Sequence, residues 1–369
     1  MAALLSASLM QGRDARKLVT AMALAAVCFG LAGVVGILFM QWLARQSVGS
    51  DSAAKHGIST SSSSRLGGVG VLVMTCTLMW FSDYLSPGAA LFKDAPARYF
   101  SIFLVVSCLS LGLWDDLSRD GLRPRFRLVA LFLVYAIVLI GLPVLIPSSL
   151  GVAPIDFLMS IPLVGFVLTI IFCVGFLNAI NMADGANGLV PGIALLSFFL
   201  FSLLDNSPVW SYLVVGFGIF VIFNLISGRL FLGDAGSYGV GCLLSLGGLF
   251  IVSQGEASPW LLAATLSYPC LEMLVSMVRR VLSGTSMFLP DNRHLHNRLF
   301  ALLSRRFKGS GLPNALTGVA IASASSGISV ALYCFGWLTA TDELWLPVFL
   351  SQCLLYGLVY FQLGRLMRA

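Results

Sequence analysis

"IPLVGFVLTIIFCVGFLNAINMADGANGLVPGIALLSFFLFSLL", residues 161–204, is the stretch whose reading decides the fold. Two apolar runs, each close to the ~20 residues a helix needs to cross a bilayer, flank the polar segment "NAINMADGANGL" (178–189). Three Asn, one Asp and two Gly fall within those twelve residues. The runs lack the period-two alternation of barrel strands, so they predict membrane helices. The polar insert then predicts a turn at the membrane rim, where so much polarity needs a reason.

The same pattern recurs outward from it. Of the 369 residues 58% are hydrophobic and 10% charged, and mean hydropathy is +0.93. A soluble globular chain carries roughly 25% charged residues, so this composition excludes that class. Apolar runs lie near 19–41, 66–85, 98–113, 126–147, 159–177, 188–204, 211–227, 238–253, 259–278, 313–340 and 344–364. The predicted fold is therefore all-α and polytopic, with about 11 transmembrane helices in a single integral membrane domain over 1–369. The first run is too long and too poorly flanked for a cleaved signal and reads as a retained anchor. The eight Cys are scattered one to a run, without CxxC spacing, and read as packing residues rather than metal ligands or disulfide partners.

Charge orients the helices. Counting gaps alternately, 17 of the 22 Lys and Arg fall on one side of the membrane, which the positive-inside rule makes cytoplasmic. That places the N-terminus outside and the C-terminus inside. The loops near 42–65, 114–125, 178–187, 228–237 and 279–312 then share the cytoplasmic face. All three His (56, 294 and 296) lie there too.

Four further segments on that face carry chemistry. "LGLWDDLSRDGLRPRFRL" (111–128) sets Asp115 and Asp116 side by side ahead of several Arg, including Arg125. Neighbouring carboxylates near cations suit metal binding or deprotonation of an acidic group, while the plain alternative is a hydrophilic helix end. "FLGDAGSYGVG" (231–241) surrounds Asp234 with glycines that admit close backbone approach. A carboxylate beside glycyl amides can hold Mg²⁺; a capped, tightly packed helix start is the alternative. "PDNRHLHNRL" (290–299) clusters Arg293, His294, His296 and Arg298, apt for a pyrophosphate or for a basic membrane-surface loop. "AAKHGISTSSSSRLGGVG" (53–70) supplies Lys55, His56 and Arg65 beside a flexible serine tract. Glu272, inside an apolar run, reads as a functional candidate or a partner for Arg279. GxxxxGKS, GxGxxG and HExxH are all absent.

Taken in order from about Lys55 to Arg298, these segments resemble the polyprenyl-phosphate N-acetylhexosamine-1-phosphate transferase superfamily (glycosyltransferase family 4). The resemblance rests on a Lys-His with downstream "RLGG", "WDD", the "NxxNxxDGxxGL" stretch, "GDAGS" and "HLHN". The His segment is closer to the form of the undecaprenyl-phosphate N-acetylglucosamine-1-phosphate branch than to that of the muramyl-pentapeptide branch. The resemblance implies transfer of a sugar-1-phosphate, N-acetylglucosamine-1-phosphate in the first instance, from a UDP-sugar to undecaprenyl phosphate, releasing UMP. That would be the initiating step of a cell-envelope polysaccharide such as O-antigen, in the bacterial cytoplasmic membrane, with Mg²⁺ (or Mn²⁺) as cofactor. The partners it implies are undecaprenyl phosphate, the UDP-N-acetyl sugar and membrane lipids, with no nucleic acid; a homodimer is compatible.

By the same resemblance, Asp234 and Asn181 would hold the metal. Asp115, Asp116 and Asp184 would be catalytic. Asn187, Phe231, Arg293, His294, His296 and Arg298 would bind the nucleotide sugar, with Asn187 at the uracil edge and Phe231 stacked on its face. Lys55, His56, Arg125 and Asn178 would bind the lipid phosphate. Two positions depart from the family pattern: "DDLSRD" puts Asp120 where the third acid's place is shifted, and Asn297 stands where a second His is common. Phospho-MurNAc-pentapeptide transfer is the alternative reaction. A secondary transporter is a distant one, because transporters concentrate polarity at the midplane rather than at one face.

Overall fold

The structure, a computed structural model, describes residues 2–46, 50–51, 63–85, 95–118, 121–286, 292–307, 309 and 311–367. Each apolar run read from the sequence is helical: α1 Ala2–Leu43, α2 Gly67–Leu85, α3 Ala95–Leu117, α4 Pro124–Gly141, then the short α5 Ala153–Met159. There follow α6 Pro162–Ala183, α7 Leu189–Leu204, α8 Pro208–Ser227 and α9 Gly233–Ser253. The last third holds α10 Pro259–Thr265, α11 Ser267–Leu282, α12 Leu295–Arg306, α13 Gly311–Ala322, α14 Ile328–Cys334 and α15 Trp345–Leu366. Proline stands at the start of α4, α6, α8 and α10, where its missing N–H is no loss and its φ suits the first turn. The β-strands among the described residues are two of two residues each, β1 Ser50–Asp51 and β2 Ser63–Ser64, paired antiparallel, with an isolated parallel bridge from Ser64 to Leu230.

Among the described residues eight helical segments are long and apolar enough to cross a bilayer, and α10 with α11 forms a ninth, bent by 73°. Gly67–Trp80 and Leu189–Leu204 are shorter apolar helices. The molecule is thus a polytopic helical membrane protein. Its helices are not equivalent. The most apolar window of α9 is 83% buried, against 22% for those of α1, α4 and α15, so α9 is the axis around which α2, α3, α6 and α7 pack.

Small residues make that packing close. A Cβ on Gly68 would lie 1.9 Å from Gly236 Cα, and one on Gly112 would lie 2.4 Å from the Asp234 carbonyl oxygen. The ends of α2 and α3 are thereby pressed onto the first turn of α9. Backbone bonds lock the same junction: Ser64 N–H donates to Arg229, Phe231 N–H to Ser64, and Gly68 N–H to Leu232. Buried amides tie in the next loops. Asn224 Oδ1 accepts from Gly188 N–H at 2.6 Å while its Nδ2 donates to Leu230 at 2.8 Å. Asn314 Oδ1 accepts from Asn187 N–H at 2.7 Å.

The bend between α10 and α11 leaves backbone groups that lipid cannot satisfy. The α13–α14 segment supplies a partner. It runs as a π-helix over Ser323–Gly327, and from it Ser326 Oγ donates to the Thr265 carbonyl at 2.6 Å. Gln352 Nε2 of α15 in turn donates to the Ser325 carbonyl at 3.1 Å.

Several helices run further than their apolar stretch. α3 continues through Asp115 and Asp116, α6 carries Asn178 and Asn181 in its last turns, and Asp234 sits in the first turn of α9 rather than in a preceding loop. The segments 114–125, 178–187 and 228–237, expected as loops, are therefore largely helix ends. Polar side chains that find partners on neighbouring helices remove the need for the helix to stop at the apolar boundary.

Replacing Gly68 by Ala is expected to destabilise the protein by about 1–3 kcal/mol through overpacking, read as a lower thermal midpoint in detergent. Gly357→Ala on α15, whose Cβ would meet nothing within 4 Å, should leave the midpoint unchanged or slightly raised.

Candidate active site

Three helix ends bring the acids together. Asp116 Oδ2 accepts from Ala235 N–H at 2.9 Å, and Arg65 Nη1 lies 3.7 Å from its Oδ1. Gly233, at φ +71°, makes this approach feasible: a Cβ there would meet the Arg65 carbonyl at 2.3 Å and Asp116 Oδ2 at 2.7 Å. Asn181 Nδ2, one turn from the end of α6, donates to Asp234 Oδ1 at 2.6 Å and to Ser237 Oγ at 2.8 Å. Asp115 stands beside Asp234 among the same helix ends. It is ion-paired to Arg127 and accepts from Leu122 N–H, so it pins the chain that leads into α4. Arg127 also reaches to 3.9 Å from Asp234 Oδ2. It stands between the two acids.

Asp184 caps α6 beside this cluster. Burial, followed by the nearby Asp234 and Asp116 carboxylates, pushes its pKa up to about 7. Like charges this close call for a cation. Asp116 Oδ1 is buried with no hydrogen-bond partner, and the Asp234 side chain is 29% exposed, so each presents a carboxylate oxygen for coordination. Among the described residues no group of three or more His, Cys, Asp or Glu forms a ready-made metal cage. Mg²⁺ does not ask for one: it usually takes one or two carboxylates and completes its octahedron with water and substrate phosphates. The residues present fit such an ion.

Other candidates are placed around this centre. Asn187 is buried, and its Oδ1 has no partner. Phe231 is half-buried on the strand-like link between Ser64 and α9. Asn178 turns its amide back on its own helix, Nδ2 donating to Val174 O at 2.7 Å. Arg125 is exposed. Two residues further on, across the helix, it is Arg127 that enters the acid cluster. Lys55, His56 and Asp120 lie outside the described residues.

The His loop is held from beneath. Glu272, completely buried on α11, accepts from His294 Nδ1 at 2.9 Å, Leu295 N–H at 3.0 Å and Tyr356 Oη at 2.9 Å. Its partners are thus the loop and α15. Arg279, which one of the two readings of Glu272 made its partner, donates to Ser276 Oγ at 2.9 Å and to Tyr360 Oη. His294 and His296 stack with ring centroids 5.3 Å apart. His296 Nδ1 bonds the Tyr268 hydroxyl at 2.9 Å, and its Nε2 presses on the loop after α6, 2.2 Å from where a Gly185 Cβ would be. The Gly of "DG" is the residue that admits this ring. Arg293 is exposed, and Arg298 docks on Tyr360 of α15. The structure therefore joins Asp115, Asp116, Asn181, Asp184, Asp234 and, through Gly185, His296. It sets Arg125 and Arg298 on other surfaces. Arg127, Asn224, Asn314 and the Tyr268–Tyr356–Tyr360 set were not singled out by pattern. A lone Asn224 in an apolar run was the one visible signal among them.

Comparison with known proteins agrees with the resemblance. Residues 99–253 match the family model described as glycosyl transferase family 4. The chain is 30% identical over 205 residues to an undecaprenyl-phosphate alpha-N-acetylglucosaminyl 1-phosphate transferase of Thermotoga maritima, covering 56% of this chain and 61% of that one. It is 27% identical over 250 residues to the protein of the same name in Escherichia coli K12, covering 63% and 64%. It is also 29% identical over 273 residues to a phospho-N-acetylmuramoyl-pentapeptide-transferase of Levilactobacillus brevis, covering 68% and 80%. The chain thus spans about three fifths of the length of the Thermotoga and E. coli relatives.

Burial, opposed in part by Glu272 and reinforced by His294, holds the pKa of His296 down to about 4 from an ordinary 6.5. The folded state keeps this ring neutral while the unfolded chain takes up its proton below about 6.5. Stability should therefore fall as pH drops from about 6.5 to about 4, by up to about 1.4 kcal/mol per pH unit from this group. Thermal midpoints recorded across that window should slope more gently in His296→Gln, and equal slopes would refute the assignment.

Proposed function

We propose that this chain, whose residues 99–253 carry the glycosyl transferase family 4 pattern, transfers N-acetylhexosamine-1-phosphate from a UDP-sugar to undecaprenyl phosphate. N-acetylglucosamine-1-phosphate is the favoured group and UMP the leaving product. The observation that carries this reading is the convergence of Asp116, Asp184 and Asp234 with Asn181, Arg65 and Arg127 at the helix ends. A lipid phosphate and a cytosolic nucleotide can meet only where helices end at the membrane surface. An oxygen of the lipid phosphate attacks the β-phosphorus of the donor, and the bond from that phosphorus to the bridging oxygen of UMP breaks in line.

The chain's own groups divide this task. Asp234, Asp116 and the Asn181 carbonyl would hold Mg²⁺, which when bound neutralises phosphate charge as it develops. Arg127, fixed by Asp115, offers its guanidinium next to Asp234, positioned for the transferred phosphate. The acceptor phosphate is already anionic near neutral pH, so Asp115 serves better as an anchor for Arg127 than as a base. Asn187 Oδ1, buried and without a partner, is an acceptor suited to the N3–H of uracil, with Phe231 beside the same link available to stack. His294 and His296 line the loop that would read the sugar phosphate. Lys55, His56, Arg125, Asn178, Arg293 and Arg298 remain candidates for phosphate binding.

Orientation belongs to the same proposal: N-terminus outside, C-terminus in the cytoplasm, about eleven crossings, and the acid cluster facing the cytoplasm of a bacterial cell. Initiation of a surface polysaccharide such as O-antigen is the favoured setting. Pentapeptide transfer is the second reading, favoured by the 80% coverage of the Levilactobacillus relative.

Purified protein with undecaprenyl phosphate, Mg²⁺ and a panel of UDP-sugars should release UMP with a UDP-N-acetylhexosamine and not with UDP-MurNAc-pentapeptide. Asp234→Ala should lower kcat by roughly 100-fold or more. No UMP release from any UDP-N-acetyl sugar would overturn the reading, and release only from the pentapeptide donor would select the second.

For topology, single Cys at Arg123 and Ser286 should react with an impermeant maleimide from the cytoplasmic side. Cys at Asn206 and Glu343 should react only from outside. The reverse pattern would turn the site to the other face.

A further inference from the structure

We propose that the groove between α11 and α15 is a binding site for the headgroup of an anionic phospholipid, seated behind the His loop. The groove encloses about 720 Å³, a volume suited to a headgroup and the upper part of its chains. Its walls are apolar and turned outward: Leu274, Val278 and Phe361 are each more than half exposed. Its head end is different. The described lining contains Arg279, Arg293, Arg298 and Arg365, and no Asp or Glu.

Tyr360 organises two of these cations, Arg298 and Arg279. The Arg298 guanidinium lies 3.8 Å from its ring centroid and donates to both its carbonyl and its hydroxyl at 2.9 Å. Arg279 lies 5.9 Å from the same centroid and donates to the same hydroxyl. Tyr360 Oη in turn donates to the Arg293 carbonyl at 3.2 Å. Guanidinium groups fixed in this way at the edge of an apolar trough match one phosphodiester above two acyl chains. A zwitterionic headgroup would bring an ammonium into the same cluster and be repelled. A sugar nucleotide has no chains to cover the apolar walls.

The occupant would bear on the His loop through a short path. Tyr356 lines the groove and donates to Glu272, which also holds His294 and the Leu295 N–H. Headgroup binding would therefore stiffen the loop from the side opposite Gly185.

The full-length protein is to be exchanged into micelles containing phosphatidylglycerol or phosphatidylcholine, and retained lipid measured by native mass spectrometry. Wild type should retain phosphatidylglycerol roughly 10- to 30-fold over phosphatidylcholine, with a higher thermal midpoint. Arg279→Gln with Arg365→Gln should abolish the preference. Arg365→Glu, at an exposed position that does not threaten folding, should do so alone. Arg45→Gln with Arg123→Gln, the same charge loss elsewhere on this face, should leave it intact. Equal retention of the two lipids would overturn the proposal, as would equal loss in the control pair. So would displacement by millimolar inorganic phosphate, or retention of undecaprenyl phosphate but not phosphatidylglycerol, which would give the groove to the acceptor.

Discussion

A carboxylate at the end of a membrane helix has no bulk water on most of its sides, and everything at the decorated face of this protein answers to that constraint. Asp115 is satisfied by Arg127 and a backbone amide and Glu272 by an imidazole, an amide and a tyrosine, while Asp116 and Asp234 are each hydrogen-bonded on one oxygen, by an amide of α9 and by Asn181. The partners lie outside each acid's own helix, on other helices or the links between them, so satisfying the acids also assembles the bundle end. The glycine contacts of α2 and α3 with α9 bring those helices close enough for the bonds to form. Polarity and packing here are one requirement met twice.

The arrangement also separates two kinds of acid. Asp115 and Glu272 have their oxygens occupied and serve to hold cationic or imidazole groups in place. Asp116, Asp184 and Asp234 keep unspent negative charge in a confined volume, visible as the upward shift at Asp184. Residues of the first kind are scaffolding for residues of the second. Adjacent carboxylates in "DD" thus have different work, because their side chains leave the helix about 100° apart.

How much of this could be read beforehand follows from what each signal measures. Apolar length locates helices because the bilayer requires it, and all eleven runs are helical. It does not locate their polar ends, since Asp116 and Asn181 are stabilised by partners far away in sequence. The acid and amide motifs stood out by composition against an apolar background. Arg127 did not, because which of two arginines faces inward depends on the phase of α4. Nor did the pairing of Glu272 with His294, 22 residues on, or the Ser326 hydroxyl that meets the Thr265 carbonyl, to which Pro269 has no N–H to donate. Serines look like nothing in an apolar run until a neighbour's broken backbone is set beside them.

The π-helical turn at Ser323–Gly327 has a further consequence for how this chain can change length. A π turn holds one residue more than the α turn it replaces, so the segment carries a built-in insertion. Removing one of its residues would restore regular α winding while leaving the flanking turns close to their present phase, because the π turn already absorbs the extra residue. The Ser326 hydroxyl would leave Thr265, and the carbonyl that Gln352 reaches would be reclaimed by the helix. A single deletion in the regular turns of α13 or α14 would rotate all that follows by about 100°, whereas a deletion here removes the residue that the π turn sets aside. The segment is tolerant of a change in chain length and intolerant of losing the contacts made by Ser326 and the Ser325 carbonyl.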